Sequence, residues 1–459
     1  MMISSETFLS SYKLSFPQLR FDFGLPTQTS EDPIDGMRRF GPYDKRQYRK
    51  NPVQCAIAFP QWAKNEAQKA MIAFRDGMFH FGGFKSFSKG IQIAEFGEYT
   101  LDITYGADAI QQAHEYRQEL QRYKDEFSNL DLVFIVLPTS MHFTTDAPYA
   151  AAKVFFSKLG IPTQMISRDK ILDDNAFKWS LNNIALACYA KLGNIPWVIE
   201  DKGNSEDLII GFGKREFREG RFGHIHRYFG FATAYRNNGA FVTFQGLSPT
   251  RTEDTLGTQL ENAIKEALRQ YAVQQRKLGY STLVPERVIL HSFKRIGPAE
   301  VLALKNATDY VSQAMQTTIT YGLVHIEDSD SLYMFDTGDR TYLPEAGQIV
   351  KLGRRQALIL TEGRERYNKR KIGLPRPYKV TLDNRSQIDS KDYDLVFDGL
   401  LSQVLGLSKI NWRGFNAAAI PVTLNYSRLL AEIAGFCQSD ADWQAITEQE
   451  RLKNKAWFL

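Results

Sequence analysis

An α/β fold in two units is predicted for this 459-residue chain, and three observations predict it. From Pro52 to about residue 205, short runs of buried-strand type alternate with amphipathic helices, the pattern of a mainly parallel sheet. From about residue 206, three extended runs precede a long helix and a further strand. Between the two lies the turn-forming stretch EDKGNSED. The length allows two or three domains, each with its own core.

Composition narrows the class. A hydrophobic fraction of 43% and a charged fraction of 24% are ordinary for a globular protein. The net charge of +5 is mild and does not by itself predict nucleic acid. The three cysteines, Cys55, Cys188 and Cys437, are far apart and lack zinc-ligand spacing. They argue against a zinc site or a disulfide framework and fit a reducing cytoplasm. The start, MMISSETFLSSYKLSF, lacks the basic region and apolar run of a signal peptide. No apolar stretch reaches the roughly 20 residues that span a bilayer. A cytoplasmic protein with no membrane partner is expected.

Taken in order, residues 1–50 are turn-rich, with a basic cluster at Arg38, Arg39, Lys45, Arg46, Arg49 and Lys50. They read as an extension, either a solvated connector or an arm packed on another domain. VQCAIAFP is a buried strand, QWAKNEAQKAMIAFRDGM and ADAIQQAHEYRQELQRYKDEF are helices, and DLVFIVLP is the next strand.

The stretch from Asp146 to Asn194 follows, and the rest of the chain can be arranged around it. Asp146 is a plausible N-cap, Pro148 suits the first turn, and Gly160 supplies a stop. Tyr149 and Lys153, four apart, share a helix face. A lysine near a helix start opposes the helix dipole unless an anion sits beside it, and free N–H groups there suit a phosphate. Gln164 lies on the extended piece IPTQMI, and Lys191 ends the segment before Gly193. Alone, each has a plainer reading: an amphipathic surface, or a lysine favoured by a helix C-terminus. Ligands of parallel sheets bind beyond the carboxyl ends of strands, and Tyr149 comes shortly after DLVFIVLP.

In the second unit, LIIGFGKREF, IHRYFGFATAYR and GAFVTFQGLS are extended, the last two joined by the hairpin signal Asn237-Asn238-Gly239. A helix from about Thr252 to Leu278 and the strand RVILHSF follow.

Tyr149, Lys153, Gln164 and Lys191, in that order and spacing, resemble the guide 5′-phosphate pocket of the MID domain of Argonaute proteins. AKLGNIPW resembles that family's KLGG signature, with Asn194 in place of the second glycine. Ala187 stands where a second lysine is common, and Lys170 or Arg168 is the candidate replacement. DPIDGMRRFGP and PVTLNYSRLLAEIA resemble the amino-terminal piece and the terminal PIWI helix of short prokaryotic Argonautes. The resemblance implies a Rossmann-like MID domain at 51–205 and an RNase H-like PIWI domain at 206–459, after the extension of 1–50. It also implies that the carboxylate of Leu459, with Gln164, holds Mg²⁺ against the guide phosphate. Arg413 or Arg428 is expected to reach that phosphate from the PIWI side.

PIWI domains resemble RNase H-type nucleases, in which carboxylates on adjacent strands hold two Mg²⁺ ions. At the positions the resemblance assigns to those acids stand Gly213, Phe293 and Asn411, so no cleavage is expected. Glu216 and Glu219 lie just past the first position and read as solvated strand-end charge. Arg354, Arg355, Arg364, Arg366, Lys369, Arg370, Lys371, Arg376 and Lys379, interleaved with Tyr367 and Tyr378, read together with Arg413 as a phosphate-tracking groove. The family implies a 5′-phosphorylated guide RNA and complementary single-stranded target DNA. It also implies a separate APAZ-domain effector protein, switched on by the target in prokaryotic defence against plasmids and phage. Two other readings stay open: a guided nuclease using other acids, such as Glu216, and a nucleotide-binding α/β protein.

Overall fold

The computed structural model describes residues 10–45, 52–84, 93–138, 147–200, 206–218, 224–329, 331–365, 373–388, 393–415 and 419–459. The amino-terminal arm carries strands β1 (Ser11–Lys13), β2 (Leu19–Arg20) and β3 (Thr29–Ser30) and helix α1 (Pro33–Phe40). Asp32 caps α1 by accepting from the N–H groups of Ile34 and Asp35.

The first unit is β4 (Val53–Pro60), α2 (Lys64–Asp76), β5 (Ile93–Leu101), α3 (Ala109–Arg122), β6 (Leu132–Leu137), α4 (Pro148–Lys158), β7 (Thr163–Ser167), α5 (Arg168–Leu172) and α6 (Asp174–Lys191). Its sheet runs β5-β4-β6-β7, every pair parallel. Side chains alternate between faces along each strand. Leu132, Phe134 and Val136 of β6 join the core beneath α2 and α6, and Val133, Ile135 and Leu137 join the core beneath α3 and α4. Burial on both faces explains why these strands read as unbroken apolar runs.

After β8 (Val198–Ile199), the second unit is β9 (Asp207–Arg218), β10 (Ile225–Arg236), β11 (Phe241–Gly246), α7 (Glu253–Lys277), β12 (Arg287–Ser292), α8 (Pro298–Met315), β13 (Thr320–Asp328), β14 (Gln348–Gly353), β15 (Gln356–Ile359), β16 (Tyr378–Leu382), α9 (Tyr393–Leu407), α10 (Val422–Phe436) and α11 (Asp440–Thr447). Its nine-stranded sheet has the order β1-β14-β15-β16-β13-β12-β9-β10-β11. β9, β12 and β13 are parallel at its centre. Helices α7 and α8 cover one face, and α9 and α10 pack on the other. Gly239, at φ +79°, makes the β10–β11 turn that Asn-Asn-Gly signals.

The arm is packed, not a free connector. β1 pairs with β14, and β2 pairs with β8. Buried Asp44 accepts from the Tyr189 hydroxyl at 2.6 Å and from the Ile195 N–H at 2.8 Å. The expected basic cluster is spent locally: Arg38 and Arg39 both pair with Asp35, and Lys45 with Asp22. Arg46, Arg49 and Lys50 lie outside the described residues. No helix of the described residues is long and apolar enough to cross a membrane.

Candidate functional site

Three elements of the first unit and the last residues of the chain converge on one buried point. Helix α4 starts at Pro148, with Ala147 as its N-cap, whose side chain makes no capping hydrogen bond. Asp146, expected in that role, lies outside the described residues. Tyr149, in the first turn, sets its ring edge-on to Phe436 of α10, centroids 5.7 Å apart. One turn on, Lys153 is 1% exposed, and its Nζ donates to the Trp457 carbonyl at 3.0 Å. Lys191, on the last turn of α6, is 2% exposed and turns inward rather than capping its own helix. Its Nζ donates to the Thr163 carbonyl at 2.8 Å and to Gln164 Oε1 at 2.7 Å. Gly193, at φ +94°, ends the helix. Tyr149, Lys153, Gln164 and Lys191 therefore line one junction.

The electrostatics at the two lysines are one-sided, and Glu432 is the acid that acts on nearby Tyr149. Burial drives the Lys153 ammonium well below its ordinary range, and Lys191 and Arg413 push it the same way. Lys191 comes down to about 8, again through burial, with the Cys188 thiol pulling upward and Arg413 downward. Burial raises the Tyr149 hydroxyl to about 12, and Arg413 opposes that rise. Arg413 thus sits over the cluster from the second unit, with its side chain exposed. Among the described residues, neither lysine forms an ion pair. Buried charge is ordinarily paired, so two converging amines and a guanidinium without an acid make a receptor for an anion.

At the mouth, Trp62, Tyr105, Leu137, Tyr149, Arg168 and Asp169 line a cleft of about 380 Å³ at the carboxyl end of β6. Two expected replacements for the missing lysine do not join the cluster. Arg168 pairs with Glu66 at 2.8 Å and stacks 5.6 Å from Trp62, and Lys170 is exposed on α5. Arg428 is tied to Asp328 at 2.7 Å. Leu459 is buried, two residues beyond the carbonyl that Lys153 holds.

Of the pair expected to hold Mg²⁺, the Leu459 carboxylate is a hard oxygen donor and Gln164 is already engaged. Mg²⁺ demands an octahedron of hard oxygens. Gln164 Oε1 is already engaged by the Lys191 ammonium at 2.7 Å, Ala187 offers no donor one turn earlier, and cations surround the position.

In the second unit, Gly213 is on β9 opposite Phe231 of β10. A Cβ at Gly213 would come within 2.2 Å of Phe231 Cε2, so the Phe231 ring fills the space a side chain would need. The β9–β12 register ends with Ser292 opposite Phe212, which brings Phe293 beside Gly213. Asn411 does not converge with them. Its neighbour Ile410 lies against Gly239 at the β10–β11 turn, roughly 20 Å along the strand from Phe231 at about 3.3 Å per residue. Glu216 pairs with Lys294 and Arg218, each at 3.1 Å, and these hold its carboxyl below the ordinary range against partial burial. Glu219 lies outside the described residues. Among the described residues there is no group of three His, Cys, Asp or Glu able to hold a metal.

The expected groove is neutralised in part where it can be described. Arg364 is gripped by Asp336 and Asp339, and Lys379 pairs with Glu327 at 3.2 Å. Arg355 lies 5.0 Å from the Tyr393 ring. Arg366, Lys369, Arg370 and Lys371 fall outside the described residues. Sequence reasoning missed the Trp457 and Thr163 carbonyls, since a main-chain acceptor leaves no mark in a sequence.

A family model described as "Piwi domain" matches residues 132–438. A protein named argonaute from Cereibacter sphaeroides is 24% identical over 446 residues, covering 92% of this chain and 56% of that protein. A Piwi protein from Archaeoglobus fulgidus is 24% identical over 466 residues, covering 98% of this chain and all of that protein. The chain thus spans about half the length of the first relative and the whole of the second. A structure of Clostridium butyricum Argonaute bound to a guide DNA and a 19-mer target DNA superposes with a TM-score of 0.69 at 19% identity. It covers 93% of this chain and 53% of that one. The crystal structure of A. aeolicus Argonaute gives 0.58 at 19% identity over 92% of this chain and 53% of its own. These likenesses carry the fold, an RNase H-like PIWI unit preceded by a MID-like one.

Proposed function

This chain belongs to the Piwi-domain family, and from that premise we propose that it holds the 5′-phosphate of a short guide strand and uses base pairing to capture a complementary strand. One observation carries the reading: Lys153 and Lys191, both buried, converge with Arg413 and find no acid. A terminal phosphate is a dianion that supplies the missing charge and accepts from both amines. The amino-terminal end of α4 adds the positive pole of a helix dipole in the same sense. Tyr149 bridges this point and the cleft at its mouth, where the first nucleotide leaves the phosphate. The protein cations hold the phosphate.

The guide is RNA and the captured strand is single-stranded DNA. Sequence discrimination belongs to the guide, while the protein reads backbone and shape, as in other guided systems. The chain performs no cleavage. Supporting this, Phe231 occupies the space above Gly213, and Glu216 is held in two ion pairs. The output lies in an APAZ-domain effector protein bound as a heterodimer: pairing with the target shifts the population of states at the junction of the two units and switches the effector on, ending in defence against plasmids and phage.

The test is extraction of nucleic acid from the purified protein, followed by end analysis. Short 5′-phosphorylated RNA supports the reading. Free nucleotide in its place supports a mononucleotide pocket instead. Magnesium-dependent cutting of labelled complementary DNA, abolished by Glu216→Gln, would establish the nuclease alternative.

A further inference from the structure

A second cavity, of about 340 Å³, lies on the other side of α6 from the phosphate cluster. The arm, the end of α6, the β10–β11 turn, helix α7 and the chain's last residues all contribute to its wall. Its volume is within the range of small-molecule sites. Three lining residues carry a buried donor that meets no acceptor among the described residues: Arg236 through Nη1, Asn194 through Nδ2 and Trp412 through Nε1. Trp412 is 1% exposed. Buried donors are seldom left unmet, and with almost no accessible area of their own these three reach the cavity only when their side chains turn toward it.

Two of the wall's acceptors are occupied. Asp44 receives Tyr189 and Ile195, and Asn238 Oδ1 receives the Ala240 N–H at 3.1 Å. The Arg236 guanidinium is 5.7 Å from the Tyr271 ring and 5.4 Å from the Tyr280 ring, contacts that fix its plane. Lys277 lines the same cavity and is exposed. Tyr43, Phe241 and Tyr280 add aromatic rings.

We propose that this cavity binds a nucleotide, with its phosphate on Arg236 and Lys277 and its base among the aromatic side chains. Cation, planar donors and rings together match that chemical class, and a simple inorganic anion would leave most of the wall unused. The proposal goes beyond guide binding, since Lys153 and Lys191 play no part in it. The two sites nevertheless share walls. Ala190 and Ala456 line this cavity, while their neighbours Lys191 and Trp457 serve the phosphate cluster. The nucleotide comes either free from solution or as part of a bound strand.

Equilibrium dialysis of the full chain, with and without a 5′-phosphorylated guide, distinguishes these sources using labelled AMP, ATP, inorganic phosphate and a 5′-hydroxyl oligonucleotide. With the guide pocket filled by a 5′-phosphorylated guide, saturable binding of AMP or ATP is expected, weakened roughly tenfold or more in Arg236→Gln. Asn194→Asp, which places a carboxylate on the wall, and Lys277→Ala, at an exposed position, should weaken it too. Binding of the oligonucleotide alone, with the same dependence on Arg236, supports the cavity with a strand as the source. Complete displacement of AMP and ATP by the 5′-phosphorylated guide would move the nucleotide to the guide pocket and overturn the proposal. So would undiminished binding in Arg236→Gln and Asn194→Asp, or no saturable binding of any organic probe at millimolar concentration.

Discussion

The Nζ of Lys153 lies 3.0 Å from the carbonyl oxygen of Trp457, 304 positions further along the chain. That bond joins the first unit to the last turn of the second and places an ammonium where no acid meets it. Replacing Lys153 or Lys191 by alanine should weaken 5′-phosphorylated guides by roughly 10- to 100-fold, since a charge-assisted hydrogen bond contributes about 1.5–3 kcal/mol. Guides ending in a 5′-hydroxyl should lose far less. Equal losses for both ends, in filter binding, would remove the pocket assignment.

The same burial fixes a pH dependence. Lys191 has a folded value of about 8 against an ordinary 10.5, so the unfolded chain binds more protons between those limits. Stability contributed through this group therefore rises as pH climbs from about 8 to 10.5, and below about 8 its charged burial costs roughly 3 kcal/mol. Lys191→Met should be more stable than the parent at pH 7, with the gap closing toward pH 10.5 in urea titrations. A bound phosphate favours the charged amine, so guide affinity should fall above about pH 8. A gap independent of pH would contradict the assignment.

Gly213→Asp should not create a nuclease. Its Cβ meets Phe231 Cε2 at 2.2 Å, and overpacking of this kind costs about 1–3 kcal/mol before the buried carboxylate is counted. Thermal melting should drop, and adding Phe231→Ala should recover part of the loss. Guided cutting of DNA by the Gly213→Asp protein with Mg²⁺, absent from the parent, would show that an acid at this position still completes a metal site.

Trp457 is 1% exposed and contacts Phe244 and Phe458 edge-on at 5.6 and 5.7 Å. Trp457→Ala should cost about 3–5 kcal/mol, as large-to-small core changes do. It should also loosen the junction of the two units, seen as faster amide hydrogen exchange along α4 and α10. Unchanged exchange there would mean the junction holds without this ring.

Much of this was legible in the sequence, for physical reasons that differ by residue. Tyr149 and Lys153 are a helical turn apart, and Gly160 and Gly193 mark the two stops, so local chemistry alone set their geometry. The alternation of β6 is likewise a property of the strand itself. Arg364 was misread because its partners, Asp336 and Asp339, are 28 and 25 residues away. A basic run shows its charge but not its counter-ions. Asn411 failed for a related reason: its neighbour packs against the β10–β11 turn, a tertiary choice that no short-range pattern encodes. The Asp44 bonds to Tyr189 and Ile195 span 145 and 151 residues and left no trace either.

Two amines without a counter-charge at a load-carrying joint also bear on how long a molecule lasts in a cell. A strand that binds only the folded form adds stability in proportion to the logarithm of its concentration over its dissociation constant. Copies that never acquire one keep the full cost of the naked cations and open more often to proteases. Turnover would then act as a census of small RNA, thinning the chain when guides are scarce and letting it accumulate when they are plentiful.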